Sequence, residues 1–321
     1  AGIMTMMVGG ITFLLATFAA VSQSNAKRVL AYSTIANLGL IVTCGGIGTA
    51  ESVWAGIMLI IFHAVTKSLL FLCVGTAEHN IGSRDIEDMD GLFVRMPRLA
   101  MFMMIGIAGM FLAPFGMLIS KWAAMTAFVD SGNIILVGII CFGSAVTAFY
   151  WIKWMGKLSA IVAGEKNIQE NVHKEEWFVQ GTLVVMTILV CLIFPLISIY
   201  VLVPYLETVF EGTSAAIMSS DNMIIMCIMV AAIVVLAGLF FGKTKKKIVP
   251  IYLSGVNEGD NRTFVGSMQK DVQFSLRNWH MEKYFGEKKM NLIGAVLTTV
   301  MLIMGIGLMI GSLITLLGGA S

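Results

Sequence analysis

The chain has 321 residues, 58% hydrophobic and 12% charged, with a formal net charge of +2. That balance excludes a soluble domain, describes an integral membrane protein, and leaves no long-range field that would draw nucleic acid. The five cysteines (Cys44, Cys73, Cys141, Cys191 and Cys227) stand singly, with no CxxC or CxxH spacing. A zinc or iron–sulfur site within the chain is therefore not expected, and the cysteines read as core residues. The 24 methionines read as packing, their flexible thioethers filling irregular helix contacts.

At about 20 apolar residues per crossing, nine helices are predicted, at roughly 3–22, 29–48, 53–76, 94–109, 110–130, 133–155, 178–203, 222–242 and 291–317. The expected fold class is all-α, a polytopic membrane helix bundle, with units at 1–155 and 156–321. The chain opens almost directly on a membrane helix, without a signal peptide, and reads as the later part of a longer protein. The fourth and fifth helices are unusual. Their apolar run holds Gly106, Gly109, Pro114 and Gly116, and then Lys121. It is too long for one helix and short for two. Proline removes a backbone donor and clashes with the preceding turn, so an interrupted helix with Lys121 just past the break is predicted. Unwound backbone at membrane depth survives only where it lines protein or water, which marks Lys121 as a functional candidate.

The third helix carries the sharpest signal. His63 and Lys67 lie four residues apart within the apolar run 53–74, and so share one helix face. A charge at the bilayer centre costs roughly 2.5–3.5 kcal/mol on insertion scales, and such groups normally face a protein interior or a water-filled path. Burial disfavours the charged form of a lysine and a nearby negative charge restores it, so small changes can load or unload a proton; histidine titrates near neutrality and passes protons through either ring nitrogen. One water can bridge the ~6 Å of helix rise between them. Ser33, Thr34 and Asn37 on the preceding helix could hold that water, and Lys27, Thr66 and Ser120 are further candidate supports. Lys153, near the end of its helix, is either a snorkelling side chain or an access point. Lys67 also has a bland reading, as a structural lysine paired with a distant carboxylate.

Loop charge sets the orientation. Segment 243–290 carries ten Lys/Arg against five Asp/Glu, whereas 204–221 carries three acids and no base. This places 243–290 in the cytoplasm. Counting back through the predicted helices makes 156–177 cytoplasmic and 77–93 external, and leaves Lys27 and Arg28 at the outer side against the rule. The charges at Glu78, His79 and 84–90 then read as an outer-surface network. Trp151, Trp154, Trp177, Tyr200 and Tyr205 are expected in the interfacial belts. The long loop 243–290, with a surface helix expected around Phe274–Phe285, is either a solvated connection or a docking surface.

The residues Asn25–Thr34, reading NAKRVLAYST, resemble a signature of the antiporter-like subunits found in respiratory complex I, multi-subunit cation/proton antiporters and membrane-bound energy-converting hydrogenases. FHAVTKSLLF, from Phe62, resembles the buried histidine–lysine helix of the same group, followed by GTAEH at 75–79. GSRDIEDMDGL, from Gly82, is similar to the hydrogenase and antiporter branches. NRTF from Asn261 and NWHMEKYFGEKK from Asn278 are most similar to the large membrane subunit of Ech-type hydrogenases.

The resemblance implies inverted five-helix repeats, each with a broken helix bearing an ion-pathway residue, of which this chain holds the second together with C-terminal helices. It makes His63, Lys67 and Lys121 the ion pathway, and it puts the start of the KRVLAYST helix outside. It also implies no cofactor in this chain, and partner subunits carrying [NiFe] and iron–sulfur centres in a cell-membrane complex that moves protons or sodium. Two departures stand out: Leu59 occupies a position that is histidine in some relatives, and Trp122, not an acid, follows Lys121. The competing expectations are a subunit of a cation/proton antiporter or of a complex I-type quinone oxidoreductase, and a membrane scaffold that conducts nothing.

Overall fold

The structure, a computed structural model, describes residues 2–112, 116–159, 172–210, 256–257, 263–273 and 280–318, with four isolated positions between 224 and 235. Cap chemistry sets the ends of the first helices. α1 (Gly2–Val21) is followed by α2 (Ala26–Ile47), capped by the Asn25 side chain, which accepts from the Arg28 amide. Gly48, in the left-handed conformation at φ 71°, ends α2, as glycine does without steric cost. Thr49 and Ser52 then form a capping box that starts α3 (Ala50–Ile81). α1 and α2 pack backbone to backbone through small residues: a Cβ on Gly9 would stand 2.6 Å from the Gly39 carbonyl, and one on Gly46 would stand 2.5 Å from the Met6 amide. This is how helices approach where lipid supplies no hydrophobic drive.

The interrupted helix is present. α4 (Pro97–Phe111) stops at Leu112, whose backbone is extended, and α5 (Gly116–Asp130) resumes after residues 113–115. Pro114 lies outside the described residues. The two pieces together make one crossing, from Pro97 to Asp130. α6 (Ile134–Ser159) and α7 (Lys174–Ile197) follow; α7 runs through a π-helical turn at Ser198–Leu202 into α8 (Val203–Val209). The last crossing is α10 (Glu287–Gly318), preceded by the turn α9 (Glu282–Phe285). α3 is the hub, packed against α2, α4, α5 and α7, and α1 contacts α2, α6 and α10. α10 runs antiparallel to α1, with Phe285 stacked on Phe18 at 4.7 Å and Gly305 beside Met4.

Among the described residues seven helices, not nine, are long and apolar enough to cross a membrane. The predicted pair at 94–130 is one interrupted span, and the predicted helix at 222–242 lies outside the described residues. The chain is a multi-pass helical membrane protein. One departure from all-α is a small antiparallel sheet in the long loop, in order β1 (Val256–Asn257), β2 (Thr263–Val265), β3 (Asp271–Gln273). Of the surface helix expected around Phe274–Phe285, residues 274–279 lie outside the described residues and Glu282–Phe285 is helical.

Merging the broken pair into one crossing corrects the orientation. Residues 22–28, 82–91, 153–157 and 280–287 meet on one face. Asn25 and Asp85 form an antiparallel bridge, the Gly91 amide donates to the Lys157 carbonyl, and Arg28 pairs with Glu287. Loop 77–93 is therefore on the same side as the basic loop, not opposite it. The start of α2 is there too, so Lys27 and Arg28 conform to the positive-inside rule that they had broken. The aromatic expectation also divides. Tyr200 and Tyr205 are exposed, but Trp151 and Trp154 are fully buried and stacked at 5.7 Å, because they sit on the face of α6 that turns inward.

Candidate ion pathway

α3 turns His63, Thr66 and Lys67 inward and presents Ile60 and Phe71 outward. His63, Lys67 and Lys121 are each no more than 7% exposed. The Lys67 ammonium donates to the Leu30 carbonyl at 3.0 Å and, in a short contact, to the Ser33 hydroxyl. It also stands 5.1 Å above the Trp151 ring, whose negative face attracts a cation. The Ser33 and Thr34 hydroxyls donate to the same Leu30 carbonyl at 3.0 and 2.9 Å, and Asn37 donates to the Ser33 carbonyl at 2.8 Å. Of the expected supports, Ser33 contacts Lys67 directly, and Asn37 bonds to the Ser33 backbone. Thr66 faces Gly109 of the broken helix, where a Cβ would come within 2.9 Å of its methyl.

Lys121 is positioned by the break. Ser120 closes the first turn of α5 by donating to the Gly116 carbonyl at 2.9 Å, and the Gly116 amide donates to the Cys191 thiol of α7 at 3.4 Å. Gly116 rests on Phe62, the neighbour of His63: a Cβ there would fall 1.9 Å from the ring. The Lys121 ammonium lies 6.0 Å from the Phe13 ring. Among the described residues no carboxylate pairs with Lys67 or Lys121, so the structural reading of Lys67 as half of an ion pair is not met there. Both ring nitrogens of His63 are buried without a hydrogen-bond partner. The result is two buried lysines and an imidazole in a seam of hydroxyls, carbonyls and aromatic faces.

The remaining candidates lie at the face that carries the end of the basic loop. Lys27 pairs with Glu78, which also holds Arg84, well away from the central seam. Lys153 reaches the Val21 carbonyl at 3.4 Å and His280 Nδ1 at 3.3 Å. His280 Nε2 in turn meets Glu87 at 3.0 Å. Lys157, which the sequence did not single out, is 7% exposed and pairs with Glu87 at 2.9 Å and Asp90 at 3.6 Å. Tyr150 and Thr147 did not stand out either. Their signal was present in the spacing 147, 150, 151, 154, 157, a helical stripe of polar-tipped residues on α6. Glu78 and the 84–90 charges do form a network, on the same face as the end of the basic loop and not opposite it. Among the described residues no group of three or more His, Cys, Asp or Glu side chains is arranged to hold a metal.

Residues 1–147 match the family described as NADH:quinone oxidoreductase/Mrp antiporter, transmembrane. This part of the chain resembles that family's membrane bundle. An Na(+)/H(+) antiporter subunit of Alkalihalophilus pseudofirmus is 33% identical over 45% of this chain and 20% of its own length. An F(420)H(2) dehydrogenase subunit of Methanosarcina mazei is 40% identical over 34% of this chain and 16% of its own. The chain thus spans a fifth or less of these two relatives. Among solved structures, a chain of the archaeal membrane-bound sulfane sulfur reductase aligns with a TM-score of 0.56 at 25% identity, covering 72% of this chain and 44% of that one. A chain of the Mrp complex from Dietzia sp. DQ12-45-1b aligns at 0.58 and 23%, covering 75% and 27%, a likeness of fold.

Proposed function

We propose that this chain is an ion-translocating subunit of an antiporter-like complex in the cell membrane, with residues 1–155 as the translocating repeat and 156–321 as the C-terminal helices. It passes protons through His63, Lys67 and Lys121. One observation carries this reading: an ammonium buried at the centre of the bundle, held by a carbonyl and a hydroxyl and not by a carboxylate. Such a charge is costly in hydrocarbon. Its partners are neutral, so proton loss breaks no ion pair. With His63 one turn away and Lys121 entering from the broken helix, the seam can accept, hold and hand on a proton. Protons are favoured over sodium because the described seam offers no cluster of carboxylate oxygens for a hard cation.

The assembly has two readings. Several relatives are named as subunits of Na(+)/H(+) antiporters, which supports a cation/proton antiporter without redox chemistry. The NRTF and NWHMEKYFGEKK segments support an energy-converting hydrogenase, in which partner subunits would carry the [NiFe] and iron–sulfur centres. Co-purification of a [NiFe] protein with the tagged chain separates the two.

The test of translocation uses the intact complex in sealed vesicles, parent against Lys121→Ala and Lys67→Ala. Ion uptake is expected to collapse in both, with any redox turnover lost or uncoupled. Parent-level uptake in both variants overturns the relay and leaves the scaffold reading.

A further inference from the structure

The relay begins inside the bundle, and none of its three side chains reaches water. Polar atoms on α6 span that gap. Tyr150, Trp151 and Trp154 are at most 2% exposed, yet the Tyr150 hydroxyl and both indole Nε1–H groups lack a hydrogen-bond partner, as does Oδ1 of Asn37 on the facing helix. Buried polar atoms without partners are rare and costly, and internal water commonly supplies the missing partners.

The row is continuous at both ends. Inward, the Tyr150 hydroxyl lies beside Ser33, Thr147 and Trp151 without completing a hydrogen bond, and Ser33 is the hydroxyl that receives the Lys67 ammonium. Outward, Trp154 stacks on Trp151, and Lys157 follows one turn later on the same face. Lys157 is tied to Glu87 and Asp90, and Glu87 to His280. Tyr150 to Lys157 is seven residues, ~10 Å of helix rise.

We infer that cytoplasmic protons reach Lys67 along the inner face of α6, through a water file held by Trp154, Trp151 and Tyr150 that opens at the Lys157–Glu87–Asp90 cluster. This rests on Lys67 being a relay group. The indole N–H groups only donate, so they anchor water oxygens and do not transfer protons. The Tyr150 hydroxyl donates and accepts. It releases its proton inward toward Ser33 and takes one from the water on its outer side, so the phenol is regenerated. The proton delivered restores the Lys67 ammonium after Lys67 has passed its own onward. His280 brings the C-terminal segment to the mouth, so the translocating bundle and the long loop share one entrance.

The test uses the assembled complex in inside-out vesicles without sodium, comparing parent, Tyr150→Phe, Trp154→Phe and Lys67→Ala in H2O and D2O. Tyr150→Phe removes one oxygen and keeps the ring, so assembly is expected to survive; Trp154→Phe repeats the test at a second position. Proton uptake should fall at least ~10-fold in Tyr150→Phe, as expected for losing a positioned proton-transfer group, with a larger H2O/D2O rate ratio than the parent. Uptake at parent level in both α6 variants, or reduced uptake with an unchanged isotope ratio, overturns the inference. If Lys67→Ala also keeps parent uptake, the relay itself falls; if Lys67→Ala alone abolishes it, the relay stands and its protons enter elsewhere.

Discussion

Lys67 has three neighbours that share the work of holding a charge in hydrocarbon: the Leu30 carbonyl, the Ser33 hydroxyl and the Trp151 face. Ser33→Ala deletes one acceptor and is expected to destabilise the protonated state by about 1–2 kcal/mol, in line with buried hydrogen bonds between membrane helices and to charged groups. The expected readout is slower ion uptake with an unchanged amount of assembled complex. Much of this environment was legible in the sequence. Two polar residues four apart in an apolar helix have one shared face, and Ser33 and Asn37 follow the same spacing on α2. The partners of Lys153 and Lys157 were not legible, because His280 and Glu87 are joined to them only by the fold. Trp151 and Trp154 were misread for a related reason. A tryptophan near a helix end is usually interfacial, and only packing reveals that Trp151, with Trp154 stacked on it, floors the lysine site.

The broken helix was readable from Pro114, Gly106, Gly109 and Gly116, but its count was not. A break inside one crossing and a loop between two crossings have nearly the same composition. Geometry separates them: α4 and α5 flank a gap of four residues and continue in one direction across the membrane. Gly116 is the tight point, since only a hydrogen fits between its backbone and the Phe62 ring. Gly116→Ala should cost ~1–3 kcal/mol of packing strain and displace α5 against α3. The expected outcome is a lower thermal midpoint of the purified complex together with loss of uptake. Gly138→Ala, on open space in α6, should leave both unchanged.

For the molecule as a whole, the strongest expectation concerns sidedness. With the broken pair counted once, residues 82–91 share the cytoplasmic face with the basic loop, and the turn at 131–133 lies opposite. In a functional cysteine-depleted background, Ser83→Cys should react with a membrane-impermeant thiol reagent in inside-out vesicles and not in intact cells, and Ser131→Cys should show the reverse. The opposite pattern would return loop 77–93 to the outside. The class of the chain was plain from its composition; its sidedness depended on one miscounted crossing. The two faces also differ mechanically. At the face with the basic loop distant parts of the chain are stitched together by the Asn25–Asp85 bridge, by Arg28–Glu287 and by the Lys157–Glu87–His280 ties. Among the described residues the opposite ends have tight turns at Gly48–Thr49 and 131–133 and, slightly inside, the Trp54–Ser198 hydrogen bond. Among the described residues the bundle is riveted like a fan at the edge that carries the basic loop. A small tilt of any blade grows with distance from the rivets, so backbone amides toward the 131–133 end are expected to exchange faster than those toward residues 82–91.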